Sequence, residues 1–284
     1  ANYGEVDLRT IGKLPEIKRP LEKWPYDQGS KVNLFILAGH RNMEGERAFV
    51  QELKTLKPTL LKDDVGIAYK YSIGGSAKVS DGWELLGPAG LYDTFGPELS
   101  FAQTLKESGT SNIAIAKFTH SGSQIIDWTP EGSMAKSRNL YPKLIAFIKD
   151  SVSELEAKGH EVVLTGIFYH LGENDMSFSP YRKGAASRLQ TIIAQSRKDL
   201  SLAGLKWVVS QQPPTDDKRV NEIDVTADLE KVAALDSHLM HLKAFDLPKQ
   251  DKKLVLDTTG ILHLGEVIAK GFLAGDEKRS AKAP

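Results

Sequence analysis

Val32-Asn33-Leu34-Phe35-Ile36-Leu37-Ala38-Gly39-His40-Arg41-Asn42-Met43-Glu44-Gly45 decides how the whole chain is read. Residues 32–38 are apolar except for Asn33. That length, and the branched side chains, suit a strand buried on both faces of a parallel sheet. The run stops at Gly39 and turns at once into His40, Arg41, Asn42 and Glu44. In an open α/β sheet, ligands bind in the crevice beyond the carboxyl ends of the strands. Polar side chains are therefore delivered where chemistry would sit.

Outward from this strand, apolar runs alternate with helical patterns. Residues 112–118, 162–169, 206–210 and 238–245 read as four more strands. Residues 48–56, 141–158, 181–200, 223–235 and 264–273 read as helices, and another starts at Gly96-Pro97-Glu98. Pro is favoured at a first helical position and an acid in a first turn. Leu144, Ile145, Ile148, Val152 and Leu155 recur at helical spacing, and Gly159 suits the end of that helix. Residues 61–90, with Tyr69, Tyr71, Gly74-Gly75, Trp83 and Gly87-Pro88, read as a long loop or small hairpin near the site. Trp83 is either a sugar platform or a packing residue. Residues 1–30 read as an extended arm, 31–272 as the domain, and 273–284 as a charged tail that frays. Five strands alternating with helices predict a five-stranded parallel sheet in a three-layer α/β/α sandwich.

With 284 residues the chain can bury a full core. Lys and Arg number 37 and Asp and Glu 37, so no net charge marks a nucleic-acid partner. No apolar run is long enough to span a bilayer. Cysteine is absent, which excludes a disulfide framework and thiolate metal sites. The seven histidines show no metal-ligand spacing, so neither a metal nor another cofactor is expected. His160 is expected to be solvated, His170 to brace the sheet end, and His238 and His241 to have core or surface roles.

The opening stretch resembles block I of the SGNH hydrolases, in the branch of sialate O-acetylesterases and acetyl xylan esterases. That branch reads Gly-Gln-Ser-Asn-Met after its first strand, with Ser as nucleophile. Here the place reads Gly39-His40-Arg41-Asn42-Met43. Thr119-His120-Ser121-Gly122-Ser123-Gln124 followed by Asp127-Trp128 resembles block II, with Gly122 the second of its two glycines. His170-Leu171-Gly172-Glu173-Asn174-Asp175 resembles block III, and His263 resembles the block V histidine. The resemblance implies a flavodoxin-like SGNH hydrolase fold and a saccharide ligand. With the chain beginning at Ala1 rather than Met, it also implies a secreted or periplasmic setting.

The family mechanism can be carried over only in part. Arginine stays protonated and cannot attack an acyl carbon. The resemblance leaves His263 as base and Glu173 as its orienting carboxylate. The oxyanion donors would be the Gly122 N–H and the Asn174 side chain. Arg41 would hold an anion, which points to a sulfated or uronate sugar. His40, Asn42, Glu44, His120, Ser121, Ser123, Asp175 and Trp128 are expected to line the ligand. Three functions stand. One is a carbohydrate-active hydrolase that avoids the acyl-serine, with Ser121 or Ser123 as a substitute nucleophile or His263 activating water. Another is a disabled enzyme that binds carbohydrate. The third is a lyase or glycosidase using His263 with Glu173 or Asp175.

Overall fold

The computed structural model describes residues 19–215, 224–248 and 254–282. The first 18 residues of the expected arm, residue 223 of an expected helix and the last two residues of the expected tail lie outside them. The element order is β1 (Lys31–Gly39), α1 (Arg41–Glu44), α2 (Val50–Leu56), β2 (Asp64–Ile73), β3 (Lys78–Val79), β4 (Glu84–Leu86), α3 (Glu98–Glu107), β5 (Ile113–Thr119), α4 (Tyr141–Ala157), β6 (Glu161–His170), α5 (Ser179–Asp199), β7 (Trp207–Gln211), α6 (Val225–Ala234), β8 (Leu239–Lys243) and α7 (Thr258–Lys282). Short 3₁₀ turns lie at Pro58–Leu61, Ile125–Trp128 and Lys136–Arg138.

Among the described residues the sheet has eight strands, not five, in the order β3-β2-β5-β1-β6-β7-β8 with β4 also on β2. The pairs β2–β5, β5–β1, β1–β6, β6–β7 and β7–β8 are parallel; β3 and β4 run antiparallel to β2. All three unexpected strands lie within residues 61–90. Ile67, Tyr69, Tyr71 and Ile73 alternate along β2 and bury one face, while Ala68, Lys70 and Ser72 take the other. Lys70 survives burial by pairing with Glu154 at 2.9 Å, 5.6 Å from the Trp83 ring centroid. Trp83, partly buried, packs against the core.

Both faces of the sheet are covered. Val32, Leu34, Ile36 and Ala38 of β1 face a core shared with α4, α5 and α6. Phe35 and Leu37 face the opposite core, shared with α2, α3 and α7. Alternation on a doubly buried strand explains why the first stretch reads as a continuous apolar run. Asn33 reconciles its polarity by donating to Ser111 O at 2.8 Å. Residues 19–30 cross the amino ends of the strands. Tyr26 O–H donates to Ile113 O and accepts the Ala68 N–H, and Trp24 Nε1 donates to His160 Nε2 at 2.8 Å. His160 is therefore buried and bonded, not solvated.

The last helix starts at Thr258, earlier than expected. Asp257 caps it: its Oδ1 accepts Gly260 N–H at 2.8 Å and its carbonyl accepts Ile261 N–H at 2.9 Å. That shift decides where His263 goes.

Candidate active site

Register aligns four strand ends. Gly39 pairs with Thr119 on one side and His170 on the other, and His170 pairs with Ser210. The chain leaves β1 toward β2 and β5, and leaves β6 toward β7, so connections diverge between β1 and β6. An open α/β sheet forms its ligand crevice at that divergence. Gly39, at φ +155°, makes the exit possible: a Cβ there would lie 2.9 Å from the Met43 side chain and 3.0 Å from His170 O. One helical turn, α1, follows and ends on left-handed Gly45, where a Cβ would sit 1.7 Å from Phe95 O.

Arg41 opens that turn. Its Nε lies 2.6 Å from Glu46 Oε2, and its Nη1 lies 3.6 Å from Glu173 Oε1. Ser121 Oγ donates to the same Glu46 oxygen at 3.3 Å. Three loops, after β1, β5 and β6, thus converge on one guanidinium–carboxylate cluster. Glu46 is absent from the residues that the sequence motifs mark. Its position after a left-handed glycine is readable, but the direction of its side chain is not. Glu173 is buried, and neither of its oxygens accepts a hydrogen bond of good geometry. Burial pushes its carboxyl up from the ordinary range, against the pull of Arg41.

Two donors follow Ser121 and Glu173 directly in the chain. Gly122, at φ +81°, has nothing within 4 Å of an ideal Cβ. Its N–H makes no hydrogen bond among the described residues, while its carbonyl accepts from Gln124 Nε2 and Arg138 Nη1. Asn174 is half-buried, and its amide makes no side-chain hydrogen bond among the described residues. Half-buried His120 donates from Nδ1 to Ser121 O at 2.8 Å if that nitrogen carries the proton, which leaves Nε2 as an open acceptor.

Most of the other expected ligand-lining residues are scaffold. His40 is buried between Trp128 and Tyr169; its Nδ1 is 2.7 Å from Ser123 Oγ and its Nε2 bonds to the Tyr169 hydroxyl. Ser123 Oγ also donates to His120 O at 2.7 Å and accepts from Trp128 Nε1 at 3.0 Å. Ser123 and Trp128 are both 1% exposed. Burial pushes His40 down to about 3, keeping it neutral. Asn42 ties the crevice to the segment before α7: Nδ2 donates to Gln212 Oε1 and Leu254 O, both at 2.8 Å, and Oδ1 accepts Leu256 N–H at 2.9 Å. His170 joins the same network through Ser210 and Gln212, with burial pushing it down to about 4. Glu44 accepts the Ser121 N–H at 2.6 Å and is pushed up to about 7 by burial, against Lys117. Asp175 accepts the Ile125 N–H with both oxygens and is pushed up to about 8 by burial.

His263 does not join the cluster. It is the sixth residue of α7, exposed between buried Leu262 and Leu264, and bonds to none of the described residues. The segment that Asn42 holds at the crevice is Leu254-Val255-Leu256, which is apolar and buried. The described partner of Glu173 is Arg41, at 3.6 Å, rather than His263. Among the described residues, no group of His, Asp and Glu is placed to hold a metal ion.

A family model described as carbohydrate esterase, sialic acid-specific acetylesterase, matches residues 31–274. No curated protein matches the chain. Several solved structures share its fold. A protein from Arabidopsis thaliana has TM-score 0.62 and 19% identity, over 85% of this chain and 98% of that one. A carbohydrate acetylesterase from Xanthomonas citri has TM-score 0.59 and 17% identity, over 85% of this chain and 57% of that one. NanS has TM-score 0.58 and 13% identity, over 89% of this chain and all 100% of that one.

Proposed function

Because the chain belongs to the carbohydrate esterase family of sialic acid-specific acetylesterases, we propose that it engages a saccharide at the carboxyl end of its sheet without forming an acyl-serine. Arg41 carries this reading. By motif it stands where the related esterases have their serine. Its guanidinium is committed to Glu46 and Glu173, and it has no lone pair with which to attack. Ser123 is saturated with hydrogen bonds and Ser121 faces a carboxylate already paired with arginine. The block V histidine does not serve there either: His263 is exposed on α7, and buried Leu254-Val255-Leu256 lies at the crevice.

What remains suits hydroxyls and an acyl oxygen: the Gly122 N–H and the Asn174 amide. Two carboxylates already answer Arg41, so this site does not ask for an anion. The ligand we propose is an uncharged, acylated saccharide, in place of the sulfated or uronate sugar expected from Arg41 alone. The lyase or glycosidase alternative needs His263 beside Glu173 or Asp175 and loses its support with them. An amide-resolved NMR titration with acetylated oligosaccharides tests the reading. The Gly122 and Asn174 signals should move with no acetate released. Signals that stay fixed while the sugar binds elsewhere would contradict it.

A second reading, hydrolysis by activated water, is favoured by one observation: neither oxygen of buried Glu173 accepts a hydrogen bond of good geometry, and burial raises its carboxyl. In that case acetate release would resist a fluorophosphonate and disappear in Glu173→Gln.

A further inference from the structure

Arg41 is answered by carboxylates; Arg47 is not. Arg47 is 4% exposed, and its Nε and Nη1 are buried without a hydrogen-bond partner. No carboxylate among the described residues lies within 4.0 Å of its guanidinium. Other buried cations differ. Lys117 pairs with Glu98 at 2.9 Å and donates to Met43 O at 3.1 Å. Lys70 has Glu154, and Arg182 donates to Thr215 O at 3.1 Å. A buried lysine can shed its proton to escape an apolar setting, but a guanidinium cannot. An unanswered buried charge is among the most destabilising features a fold can carry.

The surroundings sharpen the point. The backbone of Arg47 pairs in parallel with Asp257, the cap of α7, and Phe49 N–H donates to Thr258 Oγ1 at 2.9 Å. Arg47 therefore adjoins the positive end of a 25-residue helix. The neighbouring carboxylate, Asp257, is engaged with Gly260 N–H and forms no ion pair with Arg47. The helix end thus has its own carboxylate cap, while the Arg47 guanidinium has no carboxylate partner among the described residues.

We propose that Arg47 anchors an oxyanion-binding site beside the first turn of α7, which takes a carboxylate, sulfate or phosphate. Planar guanidinium geometry matches all three. The site is distinct from the Arg41 cluster and does not rest on the saccharide reading.

Thermal unfolding of the full chain in sulfate, phosphate, acetate or glucuronate, each against chloride at equal ionic strength, tests the proposal. Binding to the folded state alone raises Tm, by about 2–4 °C at ~10 times the dissociation constant. Arg47→Leu should start with a higher Tm in chloride and lose the anion response, while Arg47→Lys keeps part of it. A response to sulfate and phosphate only identifies an inorganic oxyanion, and one to acetate and glucuronate a carboxylate ligand. Both support the site. A parent indifferent to all four anions, or Arg47→Leu responding like the parent, overturns it. Should Arg47→Leu fail to fold, the parent's Arg47 Nε–H NMR signal decides. It must move on titration, and a fixed signal is equally fatal.

Discussion

A serine hydroxyl has one proton to give and two lone pairs to offer, and Ser123 uses all three. Its proton goes to His120 O, and its lone pairs take Trp128 Nε1–H and, by elimination, His40 Nδ1–H. His40 Nε2 then accepts from the Tyr169 hydroxyl, in keeping with a neutral imidazole. Ser123→Ala would strand the two N–H donors in the core, while the His120 carbonyl keeps the N–H of residue 123 at 3.3 Å. Its expected cost is about 2–4 kcal/mol, since each unmet buried group is worth roughly 1–3 kcal/mol. Urea unfolding measures it. A loss under ~0.5 kcal/mol would mean that the relay is not formed. Motif comparison puts Ser123 and His40 at the site but cannot tell a nucleophile from a saturated brace. That difference lies in partners contributed by strands far apart in the chain.

Between elements, the link under the crevice is Lys117 of β5 with Glu98 of α3. Lys117 Nζ also reaches Met43 O, and Tyr69 O–H donates to Glu98 at 3.2 Å. Gly96 is required here, because a Cβ would lie 2.4 Å from Glu98 Oε2 and 2.5 Å from Lys117 Nζ. Removing one partner leaves the other charged and unpaired. Lys117→Met should cost about 3–5 kcal/mol, and adding Glu98→Gln should restore most of it. A double-mutant cycle by denaturant unfolding checks this, and strictly additive losses would refute the coupling. Elements of this kind are only partly legible in sequence. The doubly buried β1, β5, β6 and β7 announce themselves as apolar runs. β2 does not, because Lys70 and Ser72 interrupt its pattern while finding partners inside the fold. The start of α7 is misread for a related reason. Asp257-Thr258-Thr259-Gly260 looks like a turn, and Asp257 acts as a cap only because Gly260 and Ile261 N–H groups fold back on it.

For the molecule as a whole, four buried titratable groups set opposite pH trends. His40 and His170 fall from 6.5 to about 3 and about 4. The unfolded chain protonates first, so their contribution is lost as pH drops below 6.5. Glu44 rises from 4.5 to about 7 and Asp175 from 3.8 to about 8. Their contribution is complete at low pH and is lost as pH climbs through those folded values. Between roughly pH 4.5 and 6.5, two extra protons on unfolded histidines balance two on folded Glu44 and Asp175, so these four groups leave stability flat there, and the raised Glu173 carboxyl adds a shallow decline with rising pH. Stability declines above that range up to about pH 8, and again below about pH 4. Unfolding free energy across pH 3–9 tests this, and a maximum at pH 8 would contradict it. His40→Phe should flatten the acidic limb by one proton's slope.

The fold's layers and the crevice are legible because strand-end motifs keep their order along the chain. The reorganised chemistry is not, because it hangs on where Glu46 points and on where α7 begins. The account stands on a site without an acyl-serine. Its most direct measurement is intact-mass analysis after exposure to a fluorophosphonate, alongside acetate release from acetylated saccharides. The account predicts an unmodified chain and no fluorophosphonate-sensitive turnover. A covalent adduct on Ser121 or Ser123, with acetate release that the adduct abolishes, would contradict it.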